Sequence, residues 1–173
     1  MDALIQALGH DWSSLQPGFE LWQALQRLLV ASVLGGVLGF ERELDRRPAG
    51  FRTHMLVTIG AALFVLAVVR SSGTSGDLSR VVQGVATGIG FIGAGAIMKR
   101  DDLHQIHGLT TAASIWIATA IGIAAGLGRF DIAIAGTISC WLVLSAFKRV
   151  EVTISQSVHP PPNPGALGRE PRP

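Results

Sequence analysis

The segment VVQGVATGIGFIGAGAIM, residues 81–98, contains eighteen residues without a single charge. A second segment, LTTAASIWIATAIGIAAGL at residues 109–127, contains nineteen. An α-helix needs about 20 predominantly apolar residues to cross a hydrocarbon core of about 30 Å. Both segments therefore predict transmembrane helices, and these two helices decide the class of fold.

Three further apolar runs lie around this pair, at residues 21–40, 55–69 and 132–147. The first is long enough only if Arg27 extends its side chain to the membrane surface. Together the five runs predict an all-α fold, a polytopic transmembrane helical bundle of about five spans. Four spans result if the first or second run lies at the membrane interface instead.

The composition supports a membrane protein and excludes several other classes. Charged residues make up 15% of the 173-residue chain and hydrophobic residues 49%, whereas a soluble domain carries about 25% charged residues. One cysteine excludes an internal disulfide, and a net charge of +2 is too small for a nucleic-acid-binding protein.

Glycines are frequent in the apolar runs, where small residues allow helices to pack closely. The pattern G-x-G-x-x-G at residues 88–93 matches a dinucleotide-binding motif, but no strand precedes it and no acidic residue follows about twenty positions later. Helix packing explains the glycines better. The predicted packing positions are Gly35, Gly39, Gly84, Gly88, Gly90, Gly93, Gly95, Gly122 and Gly126.

The charges predict how the chain is oriented. Alternate loops on one side carry eight Lys and Arg residues and the loops on the other side carry four, and the richer side is expected to be cytoplasmic. The N-terminus is then outside and the C-terminus inside. We divide the chain into an N-terminal extracytoplasmic or interfacial segment (1–20), a transmembrane domain (21–150) and a disordered Pro-rich cytoplasmic tail (151–173).

Two charged loops, residues 40–54 and 99–111, share a turn pattern and are expected on the cytoplasmic face. A shift of 58 residues superimposes them, which suggests a parallel repeat of one helical hairpin. We expect Thr53 and Thr111 to cap the helices that follow, so that two positive helix ends face the cytoplasm. The predicted functional face comprises Glu41, Arg42, Glu43, Gly50, Arg52, Thr53, His54, Arg100, Gly108, Thr110 and Thr111.

Two explanations of these loops remain open. In one, Arg42 and Arg52 hold an anion, a lipid phosphate or an acidic partner segment at the start of the second span. In the other, the arginines only set the topology and pair with neighbouring carboxylates. Asp101, Asp102, His104 and His107 are a weaker candidate for a metal cluster, and we predict no metal, no cofactor and no catalytic residue.

Several motifs resemble the signatures of the MgtC/SapB family. They are Gly39-Phe-Glu-Arg-Glu43, Pro48-Ala-Gly-Phe-Arg-Thr-His-Met-Leu-Val57, Gly88-Ile-Gly-Phe-Ile-Gly-Ala-Gly-Ala-Ile97 and Gly108-Leu-Thr-Thr-Ala-Ala113. The similarity extends from about Leu21 to Val150. One difference is the short C-terminal region, where many members carry a folded cytoplasmic domain.

The resemblance implies a multi-pass protein of the bacterial inner membrane that is associated with growth in low magnesium and, in some pathogens, with survival in macrophages and virulence. It also implies a non-enzymatic regulator of other membrane proteins, the ATP synthase among them. The expected partners are the lipid bilayer, other membrane proteins and further copies of the chain, but no nucleic acid. The alternative function is a small magnesium transporter or a channel subunit.

Overall fold

The computed structural model describes residues 21–71, 73–100 and 105–158, with the backbone alone over 98–100, 105–106 and 146–158. In this part of the chain it contains five helices, which confirm the predicted all-α helical bundle. They are α1 (Leu21–Leu44), α2 (Phe51–Arg70), α3 (Ser75–Ala96), α4 (Leu109–Gly126) and α5 (Phe130–Val158). The chain forms two compact units, Met1–Cys140 and Trp141–Pro173, and the packing below is that of the first.

Three helices, α1, α2 and α4, are long and apolar enough to cross a membrane. The first part of α5, Phe130–Ser145, is a shorter apolar helix, and α3 includes a polar first turn and a half before its apolar part. Crossing by α3 and by α5 therefore stays a prediction.

The helix boundaries differ from the predicted spans at several ends. A capping box starts α3 at Ser75, six residues before the predicted span, because Thr74 and Asp77 bind each other's backbone N–H groups. Hydrogen bonds from Thr74 also hold the pKa of Asp77 below its ordinary value. At the other end of the chain, α5 continues to Val158, so residues 151–158 are helical where we expected the tail to begin. Residues 1–20 and 159–173 lie outside the described part.

The loop between α3 and α4 contains a short antiparallel ribbon that the sequence did not predict. Strand β1 (Met98–Arg100) pairs with β2 (Gln105–His107), and Met98 lies opposite His107. Three-residue strands give too little alternation of polar and apolar residues to be recognised in a sequence.

The core of the first unit lies among α1, α2, α4 and the start of α5. Alanine dominates it, as close packing between helices requires. Its buried members are Ala31, Leu38, Ala62, Ala118, Ile121, Ala124, Ala125 and Ala133.

Helix α2 is held closely on two sides by glycines of its neighbours. A methyl group built on Gly39 of α1 would lie 2.6 Å from the Cα of Phe51, and one on Gly126 of α4 would lie 2.9 Å from the Cα of Ala62. Gly35 and Gly122 approach α2 equally closely at Thr58. A larger side chain at any of these positions would separate the helices.

Helix α3 is packed less completely. Of its five predicted packing glycines, Gly93 lies against Ala112 of α4, at 3.7 Å from an added Cβ. The close packing expected of the other four is not found within the part of the chain that the structure describes, since an added Cβ would meet no atom within 4 Å. These four are Gly84, Gly88, Gly90 and Gly95.

The geometry supports the 58-residue repeat. Helices α2 and α4 both begin directly after a glycine N-cap, Gly50 and Gly108. In the first hairpin Gly35 faces the carbonyl oxygen of His54, and 58 residues later Gly93 faces that of Ala112. The second approach is looser, at 3.9 Å against 2.7 Å from the built methyl group to the oxygen.

Two glycine substitutions should separate buried from open positions. Gly122→Leu should lower the free energy of unfolding by about 1–3 kcal/mol or more, because the new side chain overlaps the backbone of α2. Gly90→Leu should change it little, because the site is open. Thermal unfolding in detergent measures both, and equal losses in the two variants would contradict the packing described here.

Candidate functional site

The turn between α1 and α2 is held by the C-terminus of α1 and by the Glu43 side chain. The C-terminus of α1 closes with two backbone hydrogen bonds, from Arg47 N–H to the Arg42 carbonyl and from Arg46 N–H to the Glu43 carbonyl, each 3.0 Å. These are the two bonds of a Schellman motif, which places one residue in the left-handed conformation. Here that residue is Arg46, with φ 53°, whereas glycine is the usual choice because a Cβ is strained there.

The same motif ends α4, and there the left-handed residue is a glycine. Gly128 has φ 76°, and the matching bonds run from Arg129 N–H to the Ala124 carbonyl and from Gly128 N–H to the Ala125 carbonyl. The comparison shows that the α1–α2 turn carries backbone strain that the α4–α5 turn avoids.

Glu43 stabilises the start of α2 across this turn. Its Oε2 accepts a hydrogen bond from the Phe51 N–H at 3.1 Å, so the chain's own carboxylate lies at the positive end of the helix. The N-cap residue is Gly50, and a larger residue there would displace the Glu43 carboxylate because its Cβ would overlap Oε2. The predicted cap Thr53 is therefore wrong, and so is Thr111, since Gly108 is the N-cap of α4.

Arg42 is buried beside this helix start, with 2% of its surface exposed. Its Nε and Nη2 atoms have no hydrogen-bond partner among the described residues. Arg47, Asp45, Glu41 and Cys140 lie close enough to interact electrostatically with it. A buried guanidinium with two open donors is costly unless an acceptor binds there.

His54 is fully buried and links α2 to α4. Its Nδ1 lies 2.9 Å from the Gly50 carbonyl and its Nε2 lies 3.1 Å from Ser114 Oγ. Because a carbonyl only accepts, Nδ1 carries a proton, and in the neutral ring Nε2 is the acceptor. Ser114 Oγ also lies 2.8 Å from the Thr111 carbonyl, so its single hydrogen is shared between two acceptors. Ser114 was not among the predicted site residues, and only the fold shows that it meets His54.

The remaining predicted residues differ in their exposure. Arg52 and Thr110 are exposed, Glu41 is half-buried, and for Arg100 only the backbone position in β1 is described. Among the described residues no group of three or more His, Cys, Asp or Glu side chains could hold a metal ion. The metal alternative falls mainly on Asp101, Asp102 and His104, outside that part of the chain.

An apolar groove runs between α2 and α3 and has a volume of about 790 Å³. Leu56, Gly60 and Phe64 line it from α2, and Gly84, Gly88 and Ile92 line it from α3. Gly84 and Gly88, two of the four open glycines of α3, thus form part of its wall.

Comparison with known proteins gives a consistent family. The model of the MgtC family matches residues 28–153. Protein SrpB of Synechococcus elongatus is 44% identical over 142 residues, which cover 75% of this chain and 78% of that protein. No solved structure matches the chain.

Two other relatives are longer than the region they share with this chain. The Escherichia coli K12 protein named "Putative magnesium transporter YhiD" is 40% identical over 131 residues, 72% of this chain and 60% of that protein. Protein MgtC of Salmonella typhimurium is 43% identical over 111 residues, 64% of this chain and 46% of that protein. The shared region includes less than half of the Salmonella protein.

The strain at Arg46 gives a prediction opposite to that for most substitutions. Arg46→Gly should stabilise the protein by about 1 kcal/mol, because glycine adopts the left-handed conformation without a Cβ clash. The control is Arg47→Gly, because the backbone of Arg47 is not in the left-handed conformation and glycine relieves no strain there. The unfolding midpoint in detergent is the measurement, and a destabilised Arg46→Gly would show that its side chain contributes more than the strain costs.

The cap at α2 gives a second prediction. Glu43→Ala should destabilise by about 0.5–2 kcal/mol, the range found when helix caps are removed. Glu43→Gln keeps an acceptor oxygen and should lose only part of this. If both variants unfold like the unsubstituted protein, the Phe51 N–H has found another acceptor.

Proposed function

This chain belongs to the MgtC family, and on that premise we propose that it is a multi-pass protein of the bacterial inner membrane that acts during magnesium limitation. We propose further that it is a non-enzymatic regulator that works through contacts with other membrane proteins. The names of two relatives, MgtC and a magnesium transporter, support the link to magnesium.

The observation that carries the regulatory proposal is the kind of polar group buried among the described helices. Mg²⁺ is bound through oxygen ligands, usually with one or two carboxylates. Among the residues whose side chains the structure describes, no Asp or Glu is buried as a whole, and one carboxylate oxygen, Oε2 of the half-buried Glu41, is closed to solvent. Instead one guanidinium, one imidazole and several hydroxyls are buried: Arg42, His54, Thr58, Thr111, Ser114, Thr119 and Thr137. A cationic guanidinium repels a divalent cation, so this set is poorly suited to a magnesium pathway through one protomer.

The uncovered side of α3 supports contact with another membrane helix. In lipid, helices associate where small residues allow close approach, and Gly84 and Gly88 lie four residues apart on the wall of the open groove. The ATP synthase, expected from the family resemblance, is one candidate source of such a helix.

Transport is the second candidate function, favoured by the printed name of the Escherichia coli relative. We expect purified protein in liposomes to give no Mg²⁺ entry above that of empty liposomes, measured with an enclosed magnesium-sensitive dye. Entry that requires the protein would replace the regulatory proposal with transport. Co-purification from native membranes grown in low magnesium, with Gly88→Leu as the variant and Gly90→Leu as its control, then tests for a membrane partner.

Growth in low magnesium provides the prediction at residue level. In a deletion strain, Arg42→Ala should fail to restore growth, whereas Arg47→Ala should restore it because a solvated surface charge contributes little. The sequence predicts for Arg52 the same anion-binding role as for Arg42. Because the Arg52 side chain is exposed in the structure, we now expect Arg52→Ala to have only a mild effect. Immunoblots of membranes must show equal abundance of all three variants.

A further inference from the structure

Within the described residues, Arg42 is unusual because it is buried and yet has side-chain donors without a hydrogen-bond partner. Only 2% of its surface is exposed, yet two of its three nitrogens, Nε and Nη2, have no acceptor. Burying a charge without its partner costs several kcal/mol in proteins. A fold that retains such a group is complete only when an acceptor reaches it.

The identity of the two open nitrogens specifies the acceptor. Nε–H and the adjacent Nη2–H point in parallel from one edge of the planar guanidinium. This edge binds two oxygens of a single anion side by side, as carboxylates and phosphates offer. We propose that Arg42 is the binding site for a phosphate oxyanion, held by Nε and Nη2 at the α1–α2 turn.

The number of acceptor oxygens favours phosphate over a carboxylate at this edge. Glu41 and Asp45 lie close enough for their charges to act on Arg42, but neither occupies the Nε–Nη2 edge. A carboxylate has only two oxygens, whereas a phosphate that binds this edge retains further oxygens for other donors. The start of α2, with its positive end, lies beside the same side chain.

The position of Arg42 along α1 brings two sources of phosphate within reach. Helix α1 has 24 residues and is about 36 Å long at 1.5 Å per residue. It therefore exceeds a hydrocarbon core of about 30 Å, and a residue two positions before its end lies at the depth of lipid headgroups. A phospholipid phosphate and a free phosphate ion both meet the turn there.

Entry of the ligand requires the turn to open, because Nε and Nη2 are closed to solvent in this structure. The turn carries the strained Arg46, which lowers the cost of opening. The inference concerns binding by the purified protein and does not depend on the proposed role in magnesium limitation.

The test measures the unfolding temperature of the full chain in detergent with four additions. They are phosphatidylglycerol, diacylglycerol without phosphate, sodium phosphate, and sodium chloride at the same ionic strength. A ligand that binds the folded state raises this temperature, and we expect phosphatidylglycerol to raise it by about 2–4 °C relative to diacylglycerol. An increase with sodium phosphate as well identifies the free ion as sufficient, and an increase with the lipid alone identifies the headgroup as the source.

Arg42→Lys keeps the charge but loses the side-on edge, and it should lose more than half of the increase. Arg47→Lys, the same change at an exposed arginine of the same turn, should keep it. If Arg42→Lys does not fold, Asp45→Asn tests the site independently. Loss of a negative charge near Arg42 should lower the phosphatidylglycerol concentration needed for half of the increase about threefold or more.

Four results would overturn the proposal. One is an equal increase with diacylglycerol, and another is an equal response of the two lysine variants. The third is no increase with either phosphate compound, which would leave a carboxylate of another protein as the ligand of this edge. An unchanged or weaker response in Asp45→Asn would likewise contradict it.

Discussion

The direct contact between the backbones of α1 and α2 is the constraint on which the other features of the first unit depend. At Gly39 the backbone of α1 lies directly against that of Phe51, and at Gly35 it lies against the His54 carbonyl oxygen and the Thr58 side chain, so the last turn of α1 lies against the first turn of α2. Glu43 can then reach the Phe51 N–H, and Arg42, one residue earlier, is buried. A side chain at Gly39 would separate these groups and break both arrangements.

Helix α1 also supplies a complementary charge to each of its two neighbours. The carboxylate of Glu43 meets the positive start of α2, and at the opposite end Arg27 Nη1 donates to the carbonyl of Gly126 at 2.8 Å, at the negative end of α4. Helix ends leave backbone groups without partners, and a lipid core offers no water to bind them. Helix α1 therefore supplies a hydrogen-bond partner to one unpaired backbone group of α2, the Phe51 N–H, and to one of α4, the Gly126 carbonyl.

The sequence was sufficient for the features that depend on local pattern. Long apolar runs predicted the bundle, and the shared turn predicted that Gly50 and Gly108 occupy equivalent places. It could not show which glycines pack, because Gly88 and Gly122 lie in similar apolar runs and differ only in what is opposite them. It also placed Arg42 and Arg52 together, whereas in the structure Arg42 is buried and Arg52 is exposed.

The difference between the two hairpins explains why the polar groups of the core lie where they do. By the 58-residue equivalence, His54 corresponds to Ala112, and its partner Ser114 corresponds to Leu56. The matching pair in the other hairpin is therefore apolar, and Leu56 is exposed.

A symmetric pair of hairpins could be joined by apolar packing alone. The hydrogen bond between Ser114 Oγ and His54 Nε2 exists only because the two copies differ, and it fixes α4 against the first turn of α2. The turn that holds Arg42 is thereby attached to the second hairpin, so a ligand that moves this turn acts on both hairpins through one side chain.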